Sequence, residues 1–200
     1  LTREVAKDPQ SGNRYLNHAM LLRAGLWLAA MPLLALVVFI WGSLWGLEQD
    51  TVVAIVLLAL ALVPGNIAAA FSSMFYAHEK IEYPAGVTVF STVVKVALGV
   101  AALSAGYGIV GLGAVAVVVN VFTALVLAYL VVSRLLKPHL EFDGRFSLSM
   151  FSAAWPLMLN NLLANAFFRA DVLILKASRD SSEVGYYGTA YKFIDGLNII

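Results

Sequence analysis

Apolar residues occupy most of this chain in five long blocks that short polar segments separate, and a sixth block starts before the chain ends. Each complete block reaches the roughly 20 residues that a helix needs to cross a hydrocarbon core of about 30 Å. The blocks are 24–47, 51–77, 84–103, 108–133 and 148–175, and the sixth begins near residue 184. The pattern predicts an all-α protein, a polytopic transmembrane helix bundle with five full spans and the start of a sixth.

Composition supports a membrane location and excludes several kinds of chemistry. Hydrophobic residues make up 61% of the chain and charged residues 12%, about half the charged share of an ordinary globular domain. The absence of cysteine excludes disulfides and thiol catalysis. The three histidines show no metal-ligand spacing, and the net charge of +1 argues against nucleic acid as a partner. We therefore expect no metal and no cofactor.

Basic residues collect in alternate connectors. Eight of them lie in the entry segment 1–23 and the connectors 78–83 and 134–147, whereas the intervening connectors hold two, Lys176 and Arg179. Because basic residues concentrate on the cytoplasmic side of membrane proteins, the three basic segments are predicted to be cytoplasmic. The chain starts without methionine and ends within an apolar block, so we interpret it as a fragment of a longer protein.

The longest connector marks the predicted boundary between two groups of helices. It contains Pro138 and Gly144 and is the most polar stretch after the entry segment. We therefore expect a partial N-terminal lobe with four spans at 1–136, a cytoplasmic connector at 137–149 and the start of a C-terminal lobe at 150–200.

Five charged residues lie within the apolar blocks. They are Lys95, Arg169, Asp171, Lys192 and Asp195. A charge within the hydrocarbon region is costly unless it is paired or hydrated, so such residues often mark a cavity or a transport pathway. One alternative is that they form ion pairs that hold the helices together, with Asp171 pairing with Lys192 across the hairpin.

Polar residues also recur at helical spacing near these charges. Asn161, Asn165 and Arg169 are four residues apart, as are Tyr187, Tyr191 and Asp195. This spacing places each set on one face of a helix. The two stripes predict surfaces that meet water or a polar ligand.

One glycine motif has an ordinary structural explanation. The sequence GYGIVG at 106–111 matches the dinucleotide-binding fingerprint in its letters. That fingerprint needs a strand before it and an acidic residue about 20 positions later, and here two apolar blocks flank the motif. The glycines predict a tight turn on the outer side.

The chain resembles the oligosaccharide flippases of the polysaccharide biosynthesis family (Wzx-type). The matching stretches are LTREVAKDPQ at the start, 75–99 with His78-Glu79-Lys80 and Lys95, and 151–200 with Trp155-Pro156, Arg169-Ala-Asp171-Val, Val184-Gly185-Tyr186-Tyr187 and Ala190-Tyr191-Lys192. The resemblance implies part of a MATE-like fold, in which two six-helix lobes face a central cavity.

The resemblance also implies a function. The protein would carry a polyprenyl-diphosphate-linked oligosaccharide from the cytoplasmic to the outer leaflet of a bacterial inner membrane by alternating access, with no catalytic residue. Membrane lipids and a coupling cation would be its other partners. Lys95, Arg169 and Lys192 would attract the diphosphate, Asn161, Asn165, Tyr187 and Tyr191 would contact the sugars, and Asp171 and Asp195 would titrate or bind the coupling cation.

Two other functions remain open from the residues. A cation-coupled multidrug exporter of the same superfamily would hold organic cations with acidic and aromatic residues. A membrane glycan polymerase or ligase would need large outer loops for catalytic residues, whereas the outer connectors here are short. The excess of basic over acidic residues within the blocks favours an anionic substrate.

Overall fold

The computed structural model describes residues 2–8, 11–46, 48–135, 143–178 and 181–197. In chain order the helices are α1 (Thr2–Lys7), α2 (Gly12–Trp45), α3 (Gln49–Ala77), α4 (Glu82–Ser104), α5 (Gly108–Arg134), α6 (Gly144–Ser178) and α7 (Ser181–Leu197). The described residues contain helices and turns and no strand, which confirms the all-α prediction.

Four of the described helices, α2 to α5, are long and apolar enough to cross a membrane. Their outward faces carry large apolar side chains that are exposed along their length. Such surfaces suit a lipid environment, where the main-chain hydrogen bonds of a helix are satisfied within the segment itself. Helix α6 is 35 residues long but is not among these four, so the fifth span stays a prediction.

The boundaries of α3, α4 and α5 agree with the apolar blocks, whereas α6 begins four residues before its block, inside the predicted connector, and α2 begins well before the first block. Helix α2 begins at Gly12 rather than near Ala24, so the second half of the entry segment continues the helix. Three of the polar residues in these additional turns, Asn13, Asn17 and His18, are buried. The hydropathy pattern identifies only the apolar part of such a helix. It cannot show that the polar residues before that part continue the helix, because their partners lie elsewhere in the folded protein.

The chain divides into two compact units, 1–147 and 148–200. In the first unit, α3 makes its most extensive contacts with α5, while α4 packs on α5 and α2 packs on α3. The contact between α3 and α5 is close at Gly113 of α5, which lies against Ala54 and Leu57 of α3. The buried small residues are Ala54, Ala59, Ala61, Ala68 and Ala70 on α3, with Gly113, Ala116 and Ala124 on α5. Small residues allow two membrane helices to approach closely.

The larger core residues lie at the predicted cytoplasmic end of these helices. Phe75, Met74 and Leu127 are fully buried there, and Val5 of α1 and Leu16 of α2 join the same cluster. Helix α1 thus packs against the end of α3. The glycine motif forms the tight turn that the sequence predicts, since the turn between α4 and α5 has positive φ angles of 83° and 54° at its two glycines.

Candidate functional site

The middle of α3 accepts hydrogen bonds from side chains on two neighbouring helices. The indole Nε1 of Trp27 on α2 donates to the carbonyl oxygen of Ala59 at 3.0 Å. The amide Nδ2 of Asn120 on α5 donates to the carbonyl oxygen of Ala61 at 2.9 Å. These bonds add to the helix's own, because each carbonyl oxygen can accept two hydrogen bonds.

A third bond of the same kind comes from Arg23 of α2, whose Nη1 donates to the carbonyl oxygen of Asn66 at 2.6 Å. The three acceptors lie on both sides of Pro64, which is inside α3. Proline removes one main-chain donor and bends a helix. The carbonyl oxygen that loses its helical donor to Pro64 is that of Leu60, whereas the three side-chain bonds go to other carbonyl oxygens of the same segment. The segment 59–66 therefore accepts side-chain hydrogen bonds from both α2 and α5.

Lys95 lies in the middle of α4. It follows Ser91 by one turn and precedes Gly99 by one turn, and both of these residues are buried, whereas the lysine side chain is exposed. The hydroxyl of Ser91 shares a 2.7 Å hydrogen bond with that of Thr123 on α5. Lys95 therefore lies at the interface of α4 and α5 with its ammonium group accessible, and it forms no ion pair with any residue that the structure describes.

In the second unit, the two predicted asparagines are exposed and one turn apart on α6. The amide Nδ2 of Asn165 donates to the carbonyl oxygen of Asn161 at 2.8 Å. The side chains of Arg169 and Asp195 lie outside the described residues, so their predicted roles remain predictions.

The partner of Asp171 differs from the one that the sequence indicated. The hydroxyl of Tyr187 on α7 donates to Oδ2 of Asp171 at 2.6 Å, and Lys192 is exposed. The ring of Tyr191 lies against that of Tyr187, with centroids 5.0 Å apart. Helical spacing alone cannot distinguish these partners, because the register between two helices depends on how they pack. The structure therefore places one carboxylate and two tyrosines together between α6 and α7.

A separate polar cluster joins the start of α2 to the start of α6 within the first unit. We call it the α2–α6 cluster, and it consists of Arg14, Tyr15, His18, Asp143 and Phe146. Arg14 forms a 2.7 Å ion pair with Asp143, and its guanidinium lies 4.2 Å from the centre of the Phe146 ring. The rings of Tyr15 and His18 each contact Phe146 edge-on at 4.9 Å.

Asp143 also caps α6. Its Oδ1 accepts hydrogen bonds from the main-chain N–H groups of Arg145 at 3.0 Å and Phe146 at 3.2 Å, which otherwise lack partners in the first turn of a helix. The hydrogen bond from Phe146, followed by the bond from Arg14, lowers the pKa of this carboxyl group. Both interactions favour the charged form.

Acidification is therefore expected to weaken the α2–α6 cluster. A carboxyl group whose pKa is lowered on folding contributes stability above its unfolded pKa, about 3.9 for aspartate, and this contribution is lost as the pH falls through the folded value. We expect the thermal midpoint of the wild-type protein to decrease more steeply below about pH 4 than that of Asp143→Asn, which keeps a capping oxygen but has no charge. Thermal unfolding of both proteins between pH 3 and pH 6 measures the difference, and parallel curves would contradict the prediction.

Sequence reasoning missed three of these polar residues. Arg23 was counted with the entry segment because an apolar block follows it, although the structure places it eleven residues inside α2. Asn120 could have been identified, because an asparagine in the middle of an apolar span is itself unusual. His18 gives no signal in the sequence, since its partner Asp143 is 125 residues away.

A family model described as "Polysaccharide biosynthesis protein" matches residues 1–199. No curated protein and no solved structure matches the chain.

Proposed function

This chain belongs to the polysaccharide biosynthesis protein family, and from that membership we propose that it is part of a flippase for a lipid-linked oligosaccharide. The substrate would be a polyprenyl-diphosphate-linked oligosaccharide that moves from the cytoplasmic to the outer leaflet of the inner membrane. The observation that carries the proposal is that the family match covers a chain built from long apolar helices. A polysaccharide intermediate made inside the cell needs such a protein to cross the bilayer.

The polar residues within the helices fit the parts of that substrate. A diphosphate is anionic, and Lys95 and Lys192 both present exposed cationic groups that would attract it, together with Arg169. Sugars need hydrogen-bond donors and acceptors and aromatic rings, which Asn161, Asn165, Tyr187 and Tyr191 would supply. The polyprenyl chain needs no protein site, because it remains soluble in the lipid.

Alternating access is the mechanism that we propose. Two lobes would rock against each other around a central site and expose it to one side of the membrane at a time. The residues named above would bind and release the substrate without covalent chemistry, so the protein is proposed to be a transporter and not an enzyme. Asp171 would couple transport to a cation, because its charge responds to protonation or ion binding.

A cation-coupled multidrug exporter is the second candidate, and one observation favours it. Asp171, Tyr187 and Tyr191 lie together between α6 and α7. A carboxylate beside aromatic rings is an arrangement that attracts organic cations. Uptake of a fluorescent organic cation by the reconstituted protein, with loss of uptake in Asp171→Asn, would support this candidate over the flippase.

Flipping of a labelled substrate by the full-length protein tests the leading proposal. The protein is reconstituted in vesicles with a fluorescent polyprenyl-diphosphate oligosaccharide, and a membrane-impermeant quencher measures the label in the outer leaflet over time. We expect protein-containing vesicles to flip the lipid faster than empty vesicles. Equal rates with and without protein would reject the flippase function.

Lys95→Ala is expected to reduce the flipping rate by about tenfold or more, since a charge-assisted hydrogen bond contributes roughly 1.5–3 kcal/mol. Lys95→Arg keeps the charge and is expected to retain most of the rate. Lys80→Ala, which removes a lysine from the connector after α3, serves as the matched control. Wild-type flipping by Lys95→Ala at equal protein levels would remove this lysine from the substrate site.

A further inference from the structure

A cavity of about 420 Å³ lies between α2 and α3 in the first unit. This volume is within the range of small-molecule binding sites, which is about 300–1,000 Å³. Most of its lining is apolar, including Met20, Leu28, Val63 and Ile67, and the guanidinium-bearing side chain of Arg23 is also part of the wall. The cavity therefore combines an apolar interior with one cationic group.

The charge of Arg23 is not neutralised within the described part of the chain. Its Nη1 donates a hydrogen bond to the neutral carbonyl oxygen of Asn66, and no described Asp or Glu forms an ion pair with it. A guanidinium carries five N–H donors, so most of its donors remain available for another acceptor. The bond to Asn66 holds the group at the cavity and limits its freedom to extend toward the membrane surface.

The depth of Arg23 makes an unneutralised charge costly. Its partner Asn66 lies eleven residues before the end of α3 at Ala77, which corresponds to about 16 Å along the helix axis. Helix α3 has 29 residues and is about 43 Å long, so a centred hydrocarbon core of about 30 Å begins roughly 7 Å from its end. Arg23 is thus about 10 Å inside the hydrocarbon, where a charge requires a partner.

We propose that this cavity binds an anionic lipid, with its phosphate or diphosphate group on Arg23 and part of its chain along the apolar wall. Arginine matches the geometry of phosphate oxygens with parallel N–H donors. Because the lining is mostly apolar, the cavity suits an amphiphile better than a fully hydrated ion. This site goes beyond the residues assigned to transport above and does not require transport to occur.

Trp27 provides a direct reporter, because its side chain also lines the cavity. In the full-length protein, every other tryptophan is replaced by phenylalanine, including Trp41, Trp45 and Trp155. The protein is reconstituted in phosphatidylcholine bilayers, and quenching of Trp27 fluorescence is measured with lipids that carry bromine on their chains. We expect brominated phosphatidic acid to quench at about tenfold lower mole fraction than brominated phosphatidylcholine, because one charge-assisted hydrogen bond corresponds to roughly that factor.

Variants then assign the preference to Arg23. Arg23→Gln is expected to abolish the difference between the two lipids, and Arg23→Lys, which keeps the charge, is expected to retain part of it. Arg134→Gln is the matched control, because it removes a basic residue from the same predicted side of the membrane but outside the cavity. Circular dichroism and thermal unfolding establish that each variant is folded.

Three outcomes would overturn the proposal. The first is equal quenching by both lipids in the protein without an Arg23 substitution, and the second is an unchanged lipid preference in Arg23→Gln. The third is displacement of the brominated lipid by inorganic diphosphate as effectively as by polyprenyl diphosphate, which would indicate a site for the free ion. Competition by unbrominated polyprenyl diphosphate, but not by the inorganic ion, would support a lipid-phosphate site. The quenching measurement does not involve flipping, so failure of the flippase proposal leaves its result unaffected.

Discussion

Replacement of Gly113 by leucine is expected to prevent the close packing of α3 and α5 and to leave little correctly folded protein. Gly113 is buried in α5, and a Cβ atom at this position would lie 3.0 Å from Cβ of Leu57 and 3.5 Å from the carbonyl oxygen of Ala54. The remaining leucine atoms would have to displace α3 itself. Overpacking of a core usually costs about 1–3 kcal/mol and sometimes more, and backbone neighbours relax less than side chains do.

Gly86→Leu is the matched control for this substitution. It makes the same chemical change within α4, at an exposed position where no described atom beyond the neighbouring residues and backbone of α4 itself lies within 4 Å of the added Cβ. We expect Gly86→Leu to retain the size-exclusion profile and thermal midpoint of the wild-type protein, whereas Gly113→Leu aggregates or melts far below it. Similar melting of the two variants would show that the α3–α5 contact is less tightly constrained than its geometry indicates.

His18→Leu is expected to release the start of α6 from α2. The ring of His18 is fully buried, with 0% exposure. Its Nε2 accepts a 2.9 Å hydrogen bond from the main-chain N–H of Asp143, so its Nδ1 carries the proton and donates to the carbonyl oxygen of Arg14 at 2.7 Å. Leucine provides neither group and leaves the N–H without its partner, at a cost of about 1–3 kcal/mol.

Trypsin cleavage after Arg145 measures this release, because a segment is cleaved when it opens locally. A loss of about 1–3 kcal/mol corresponds to a rate of cleavage roughly 5- to 150-fold higher. His78→Leu is the control, since among the described residues Nδ1 of His78 bonds to the carbonyl oxygen of Met74 in the last turn of the adjoining α3. We expect cleavage of the control at the wild-type rate. If His18→Leu is cleaved no faster than His78→Leu, the α2–α6 cluster does not hold this segment.

The sequence predicted best the spans in which the whole helix is apolar, because the apolar block and the helix then have the same bounds. Helices α3, α4 and α5 begin and end within two residues of the predicted blocks. The prediction was less accurate for α2, which starts twelve residues before its block. The polar residues in its first turns are helical because His18 and its neighbours find partners in other segments, and such partners cannot be identified from local hydropathy.

The candidate site also contains residues that the sequence identified and contacts that only the folded structure shows. A lysine in an apolar block, such as Lys95, is conspicuous in the sequence because its cost in lipid is independent of its neighbours. For Asp171, by contrast, the sequence offered Lys192 as one alternative partner, whereas the structure shows a hydrogen bond from Tyr187. Both residues lie on the following helix, and only the packing of α6 on α7 selects the tyrosine. Arg23 was assigned to the entry segment because it directly precedes the first apolar block. That position in the sequence does not show how deep the side chain lies in the membrane.

Helix formation in a bilayer depends on interactions that are local in the chain. A segment must satisfy its own main-chain hydrogen bonds and must be long enough to cross the lipid, so composition and length were sufficient to define the apolar helices. The bonds from Arg23 to Asn66 and from Asn120 to Ala61 join residues 43 and 59 positions apart. The first bond depends on how α2 packs on α3 and the second on how α5 packs on α3. Packing decides which turns lie opposite each other, and this register is a property of the packed helices alone.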